Sequence, residues 1–169
     1  MRNTFTLAAV AAAIVLAAPL PAAAQTTFAT RQLTPEAALK VAQAALEQCR
    51  KGGYQIAVAV VDRGGVAQVM LRDRFAGAHT PDTARAKAWT AASFRGDTVG
   101  LAKATQSGEL SSGIRHIQGV IMVGGGVPIE AGGTIIGAVG VSGAPSGEAD
   151  DGCARAGIKA IADDLQLGG

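Results

Sequence analysis

Residues 85–98 bring together three side-chain types that suit one binding task. Two aromatic residues can wall an apolar slot, two cations can meet carboxylates, and two hydroxyl groups offer oxygen atoms. The aromatic residues are Trp89 and Phe94, the cations are Arg85 and Lys87, and the hydroxyl groups belong to Thr90 and Thr98. Small-molecule clefts are mostly apolar and carry a few placed polar groups. The segment therefore predicts a cleft for a flat cofactor. Thr98 has the alternative role of a helix N-cap.

The two histidines of the chain are further candidate metal ligands. His79 precedes a predicted helix, and His116 lies in Ile114-Arg-His-Ile117, before a predicted strand. A lone histidine is also commonly a surface or hydrogen-bonded group, so both interpretations stand for each residue. No cluster of histidine and cysteine has the spacing of a structural zinc site.

Other polar motifs indicate less specific chemistry. Glu148, Asp150 and Asp151 can bind a cation, or can serve as the acidic first turn of a helix. The triplet Gly124-Gly-Gly126 lacks the Gly-Lys-Ser/Thr ending of a phosphate loop. Ser142 lacks the second glycine of a nucleophile elbow. No pair of residues suggests acid–base catalysis, so the sequence predicts no mechanism of turnover.

A glycine-rich stretch, residues 123–145, organises the predicted fold. Its glycines alternate with Val, Ile and Ala, which favour a buried strand over residues 134–142. Gly137 and Gly140 leave one face of that strand without side chains. A bare face allows a helix, another backbone or a flat ligand to approach closely.

The remaining elements follow from capping and periodicity. Thr34-Pro35-Glu36 starts a helix that Gly52-Gly53 ends, with Leu39, Ala42, Leu46 and Cys49 at helical spacing. A strand is predicted from residue 55 to 62, a hairpin turn at 62–65 and a partner strand to residue 72. Helices are predicted at 81–94, 98–104 and from about 147, and a short strand at 119–123. Tight turns between strands predict an α+β fold with an antiparallel sheet.

Length, leader and charge restrict the class of protein. The 169 residues suffice for one domain. Residues 1–24 have the basic start, apolar run and small-residue cleavage site of a signal peptide, so we expect a periplasmic or secreted protein. Residues 25–33 are predicted to be a flexible lead-in and residues 34–169 the domain. The net charge of +2 with scattered cations argues against a nucleic-acid partner.

The only cysteines of the sequence, Cys49 and Cys153, each fall in a predicted helix. Export permits a disulfide between them. Two sequence positions do not establish the geometry, and the sequence favours two buried thiols.

Several segments resemble the GlcG/HbpS-like haem-binding proteins, which are related to the C-terminal domain of PduO-type proteins. The matching segments are residues 60–65, 84–94 with Thr98, 125–129, and 136–147 followed by Asp150. The resemblance implies a profilin-like fold, a homo-oligomer, typically an octamer, and non-covalent haem b near subunit contacts. It also makes Thr98 the first candidate iron ligand. The absence of Cys-x-x-Cys-His excludes covalent c-type haem.

Three functional hypotheses follow from these observations. The leading one is a secreted protein that holds or senses haem outside the cytoplasm. The second is an enzyme or accessory protein that acts on a small organic acid or redox-active compound, bound near Arg85, Lys87 or Arg115. The third is an oligomeric partner of a membrane sensor.

Overall fold

The computed structural model describes residues 26–167. The predicted signal peptide lies outside these residues. In chain order, the elements are α1 (Pro35–Lys51), β1 (Ala57–Asp62), β2 (Ala67–Arg72), α2 (Thr80–Phe94), α3 (Thr98–Ala104), a 3₁₀ helix (Ser112–His116), β3 (Gly126–Ala131), β4 (Thr134–Ser142), α4 (Gly147–Lys159) and α5 (Ala162–Leu167).

The four strands form one antiparallel sheet in the order β2-β1-β4-β3. Helices α1 and α4 pack against each other, and α1 also packs on β1 and β2. Their side of the sheet holds the main core, which includes Val58 and Val60 of β1 and Val139 and Val141 of β4. Helix α2 covers the other side. The predicted α+β class is confirmed.

Helix α2 lies unusually close to β4 because both elements present small residues. A Cβ atom at Gly140 would lie 2.0 Å from the carbonyl oxygen of Ala84 and 2.6 Å from the nitrogen of Ala88. Gly137 lies three positions from Gly140 and therefore faces the other side of the sheet, where a Cβ atom would lie 3.5 Å from the Cβ of Leu33 in the main core. The expectation that this strand admits a helix is confirmed at Gly140, whereas the expectation that the two glycines share one bare face is wrong.

The predicted strand at residues 119–123 is wrong. Gly119 has a φ of 86°, and residues 120–122 form no ladder. The N–H of Ile121 instead donates to the hydroxyl of Thr90, at 3.1 Å. The edge strand beside β4 is β3, which begins only at Gly126, after the predicted segment.

Some helix details also differ from the sequence expectations. Leu39 was expected to face inward but is 40% exposed, because the buried side of α1 runs through Ala38, Val41 and Ala45. Helix α2 begins at Thr80, one residue before the predicted start, and His79 takes the N-cap position. It ends at Phe94, as predicted, and Arg95 follows in a left-handed conformation.

The two cysteines form a disulfide, contrary to the expectation of two thiols. Cys49 near the end of α1 and Cys153 in α4 are both buried, and their Cα atoms lie 5.5 Å apart. Because α1 and α4 pack side by side, the fold brings together two residues separated by 104 positions. That pairing is a tertiary property that no local sequence pattern encodes.

Candidate functional site

A cleft of about 630 Å³ opens beside the N-terminal half of α2. Thr80, Thr83 and Lys87 of α2 line one wall; they fall on one side of the helix because residues three to four apart share a face. The loop after β2 and the segment after β4 supply the other walls. The volume lies within the ~300–1,000 Å³ typical of ligand clefts.

A buried ion pair lines the cleft. The ammonium of Lys87 donates to the carboxylate Oδ2 of Asp150, at 2.7 Å, and to the carbonyl oxygen of Val141, at 2.9 Å. The other carboxylate oxygen of Asp150 accepts the N–H of Ala144, at 2.9 Å. Both side chains are at most 5% exposed. A charge can be buried in this way because its partner compensates for the lost hydration.

Burial raises the pKa of the Asp150 carboxyl, and the hydrogen bond from Lys87 opposes that rise. The sequence suggested a helix-terminal role for Asp150 and missed this pair. One signal was available: Lys87 lies among the alanines of the buried side of α2, and a buried cation requires an acceptor.

The glycine triplet before β3 crosses directly over this pair. A Cβ atom at Gly126 would lie 2.4 Å from the carbonyl oxygen of Lys87, and one at Gly125 would lie 2.6 Å from the Cβ of Asp150. Gly125 also has a φ of 113°, which side-chain-bearing residues avoid. The triplet therefore lets the backbone pass close to Lys87 and Asp150, where side chains would collide. This structural role agrees with its lack of phosphate-loop features.

Aromatic and imidazole groups form the rim of the cleft. Phe75 is 80% exposed, Tyr54 is half-buried, and the exposed ring of His79 lies against Gly77. All these residues line the cleft. The cleft thus has an accessible imidazole and apolar surface at its rim, and the Lys87–Asp150 ion pair at its base.

The loop that carries Phe75 and His79 is fastened to α1 by Asp73. Its two carboxylate oxygens accept from the guanidinium of Arg50, at 2.7 and 2.9 Å. The hydrogen bond from Arg50 lowers the pKa of the Asp73 carboxyl to about 2. This two-point contact fixes the start of the loop and so positions the rim.

The predicted aromatic walls lie on different sides of α2. Trp89 and Phe94 are five residues apart, which places them about 140° apart around the helix axis. The Trp89 ring packs against Gly65 in the β1–β2 turn, and both aromatic residues are half-buried. Arg85 is exposed and shares the Trp89 side of α2. The structure does not bring these residues together with Lys87 in one cleft.

The two threonines are buried, and their hydroxyl groups accept hydrogen bonds from backbone N–H groups. Thr90 and Thr98 have no exposed surface, and the hydroxyl of Thr98 accepts the N–H of Gly126, at 2.8 Å. Thr98 is not the N-cap of α3. Asp97 has that role and accepts the N–H of Gly100, at 2.8 Å.

The remaining candidates lie outside the cleft. His116 is exposed on the 3₁₀ helix. Arg115 donates to the carbonyl oxygens of Ala102 and Thr105 and so ties this segment to α3. Within residues 26–167, no three His, Cys, Asp or Glu side chains form a metal-binding group. Among the helices described between residues 26 and 167, none combines the length and the apolar character of a membrane span.

Two solved structures share this fold at substantial identity. A double mutant of HbpS from Streptomyces reticuli is 40% identical, with a TM-score of 0.77, over 86% of this chain and 97% of its own. The complex of PduOC with haem is 32% identical, with a TM-score of 0.73, over 78% of this chain and 96% of its own. The fold is therefore associated with haem in a structural neighbour.

Sequence comparison leads to the same group. The 15.0 kDa protein of the dhaT–dhaS intergenic region of Citrobacter freundii is 35% identical over 113 residues, which is 66% of this chain and 80% of that protein. The profile of the family described as haem degrading protein HbpS-like matches residues 33–159. The chain therefore belongs to the HbpS-like family.

Proposed function

We propose that this protein binds haem b non-covalently in the cleft beside the N-terminal half of α2. One observation carries the proposal: an exposed imidazole, that of His79, lies beside Phe75 and Tyr54 at a cleft of about 630 Å³. Apolar surface suits the porphyrin face, and imidazole is a common axial ligand of haem iron. The family and the haem complex of PduOC support this choice of ligand.

Within this proposal, His79 is the iron-facing residue. Thr98 is less suited, because its hydroxyl is buried and bound to the backbone of Gly126. On the polar side of the cleft, the hydroxyl of Thr83 donates to the carbonyl oxygen of His79, at 3.0 Å, and so helps to position the residue that carries the imidazole. Bound haem would supply a redox-active iron, while the protein supplies the slot and the ligand.

A haemin titration of the mature protein tests this proposal. We expect a saturable Soret shift that His79→Ala changes in position, with affinity lowered at least about tenfold. His116→Ala is the matched control, because His116 is exposed and lies outside the cleft. An unchanged spectrum and affinity in His79→Ala would contradict the assignment of the ligand, and no saturable shift in the wild type would contradict haem binding itself.

We also propose that the protein works outside the cytoplasm, in the periplasm or secreted. The support is the buried Cys49–Cys153 disulfide, since such bonds persist in oxidising compartments and are rare in the cytosol. The test is to fractionate cells and treat each fraction with a thiol-reactive mass tag. We expect untagged protein in the exported fraction; a cytoplasmic, doubly tagged protein would refute the proposal.

We further propose that the protein forms a homo-oligomer through the outer side of β2. This edge strand and its turn expose Met70, at 39%, and Val66, at 65%. An edge strand presents unpaired N–H and C=O groups with which another chain can pair. Native mass spectrometry should show a single assembly. The family resemblance implies that this assembly contains eight copies. Met70→Lys should shift it to smaller species, whereas Gln106→Lys on an exposed loop should not.

A further inference from the structure

A second cleft, of about 410 Å³, lies at the opposite end of α2. The β1–β2 turn, the C-terminal end of α2 and the β3–β4 turn form it. The lining residues that matter here are Arg63, Ala92, Ser93, Arg95, Thr134 and Ile135. The two clefts share no lining residue, and their nearest lining residues on α2, Lys87 and Ala92, lie about 8 Å apart along the helix axis.

The charge of this cleft has one sign. No acidic side chain lines it, and within residues 26–167 neither Arg63 nor Arg95 forms an ion pair or a side-chain hydrogen bond. Asp62, the neighbour of Arg63, is occupied in its own turn, where its carboxylate accepts the N–H of Val66, at 2.9 Å. A cleft lined by one sign of charge concentrates ligands of the opposite sign.

Arg95 occupies a backbone conformation that glycine normally takes. Its φ of 55° is the only positive value at a non-glycine position within residues 26–167. Helices commonly end with glycine in this conformation, and Gly96 follows immediately in the chain. A disfavoured backbone at a cleft-lining cation is the kind of strain that persists at binding sites.

We propose that this cleft binds a small organic dicarboxylate. The two guanidinium groups come from separate elements, and each matches one carboxylate in a two-point hydrogen-bonded contact. Ala92 and Ile135 supply apolar surface for the carbon chain, and Ser93 and Thr134 supply hydroxyl groups. The site differs from the cations that the sequence favoured for an organic acid, since Lys87 is paired with Asp150 and Arg115 is bound to helix carbonyls.

The test is calorimetric titration with succinate and with acetate, at one pH and low salt. We expect succinate to bind at least about tenfold more tightly than acetate. Arg63→Gln should lower the succinate affinity at least about tenfold, and Arg95→Gly should do the same while raising the melting temperature, because glycine accepts this φ. Arg74→Gln, on an exposed loop outside the cleft, should bind succinate normally.

Two results would overturn the proposal. One is equal binding of succinate by the wild type and both cleft variants, or equal binding of succinate and acetate. The other comes from haemin titration of Arg63→Gln, which should match the wild type because Arg63 does not line the haem cleft. A loss of haem affinity in Arg63→Gln would mean that these cations bind haem propionates, and the proposal would fail. A loss of succinate binding with unchanged haem affinity would show that the succinate site and the haem site are different.

Discussion

Lys87 of α2 and Asp150 of α4 form a buried ion pair, with 2.7 Å between the ammonium nitrogen and a carboxylate oxygen. The pair joins helices on opposite sides of the sheet, through the gap where Gly125 crosses. It also forms the floor of the cleft for which we propose haem. One contact therefore ties together α2, the end of β4 and the first turn of α4.

Removing one member of this pair should destabilise the fold strongly. Lys87→Met leaves the Asp150 carboxylate buried without its partner, at an expected cost of about 3–5 kcal/mol in the free energy of unfolding. The double variant Lys87→Met/Asp150→Leu should lose less than the sum of the single changes, because it leaves no unpaired charge. Urea unfolding of the wild type and the three variants measures this coupling; additive losses would show that the pair contributes little.

The sequence predicted the elements well but the polar contacts poorly. The cap at Thr34, the β1–β2 hairpin and the range of α2 follow from local patterns, and the structure confirms them. Partners distant in the chain were not available from such patterns. Asp150 contacts a lysine 63 positions away, and Cys49 pairs with a cysteine 104 positions away. Both contacts exist only once the sheet has set the helix positions.

For the candidate cleft as well, the sequence indicated the residue types but not their spatial arrangement. The composition of residues 85–98 suggested one slot, but helical geometry separates Trp89 from Phe94, and this could have been inferred from their spacing alone. The hydroxyl groups of Thr90 and Thr98 were expected to meet a ligand or cap a helix. They hold the backbone of Ile121 and Gly126 instead, because those N–H groups have no strand partner there.

Gly140→Ala should be severely destabilising. Its added methyl group would lie 2.0 Å from the carbonyl oxygen of Ala84, and backbone atoms cannot rotate away as a side chain can. We expect a loss of at least about 3 kcal/mol, or a failure to fold. Gly152→Ala is the matched control, because nothing lies within 4 Å of that position in α4 and alanine favours helix by about 1 kcal/mol. Melting curves should move in opposite directions, and equal shifts would contradict the proposed close approach of α2 to β4.

The Asp73–Arg50 contact should make stability depend on pH in acid. The pKa of Asp73 is about 2 in the folded protein, below the ~3.9 of an unfolded chain, so the ionised carboxylate favours folding. This contribution is complete above about pH 4 and disappears as the pH falls toward 2. Asp73→Asn should therefore be less stable than the wild type at pH 6, and the difference should shrink between pH 4 and 2. A difference that stays constant with pH would show that the carboxylate charge is not its source.

Reduction of the Cys49–Cys153 bond should lower stability without changing the fold. The bond closes a loop of about one hundred residues, and loss of that restraint in the unfolded chain is worth about 4–5 kcal/mol in the chain-entropy description. The double variant Cys49→Ser/Cys153→Ser should melt at a lower temperature than the oxidised wild type and should not respond to added reductant. The reduced wild type should melt near the double variant, because both have lost the same restraint. If reductant leaves the melting temperature of the oxidised protein unchanged while thiol titration confirms that the bond has opened, the disulfide contributes nothing to the stability of this fold.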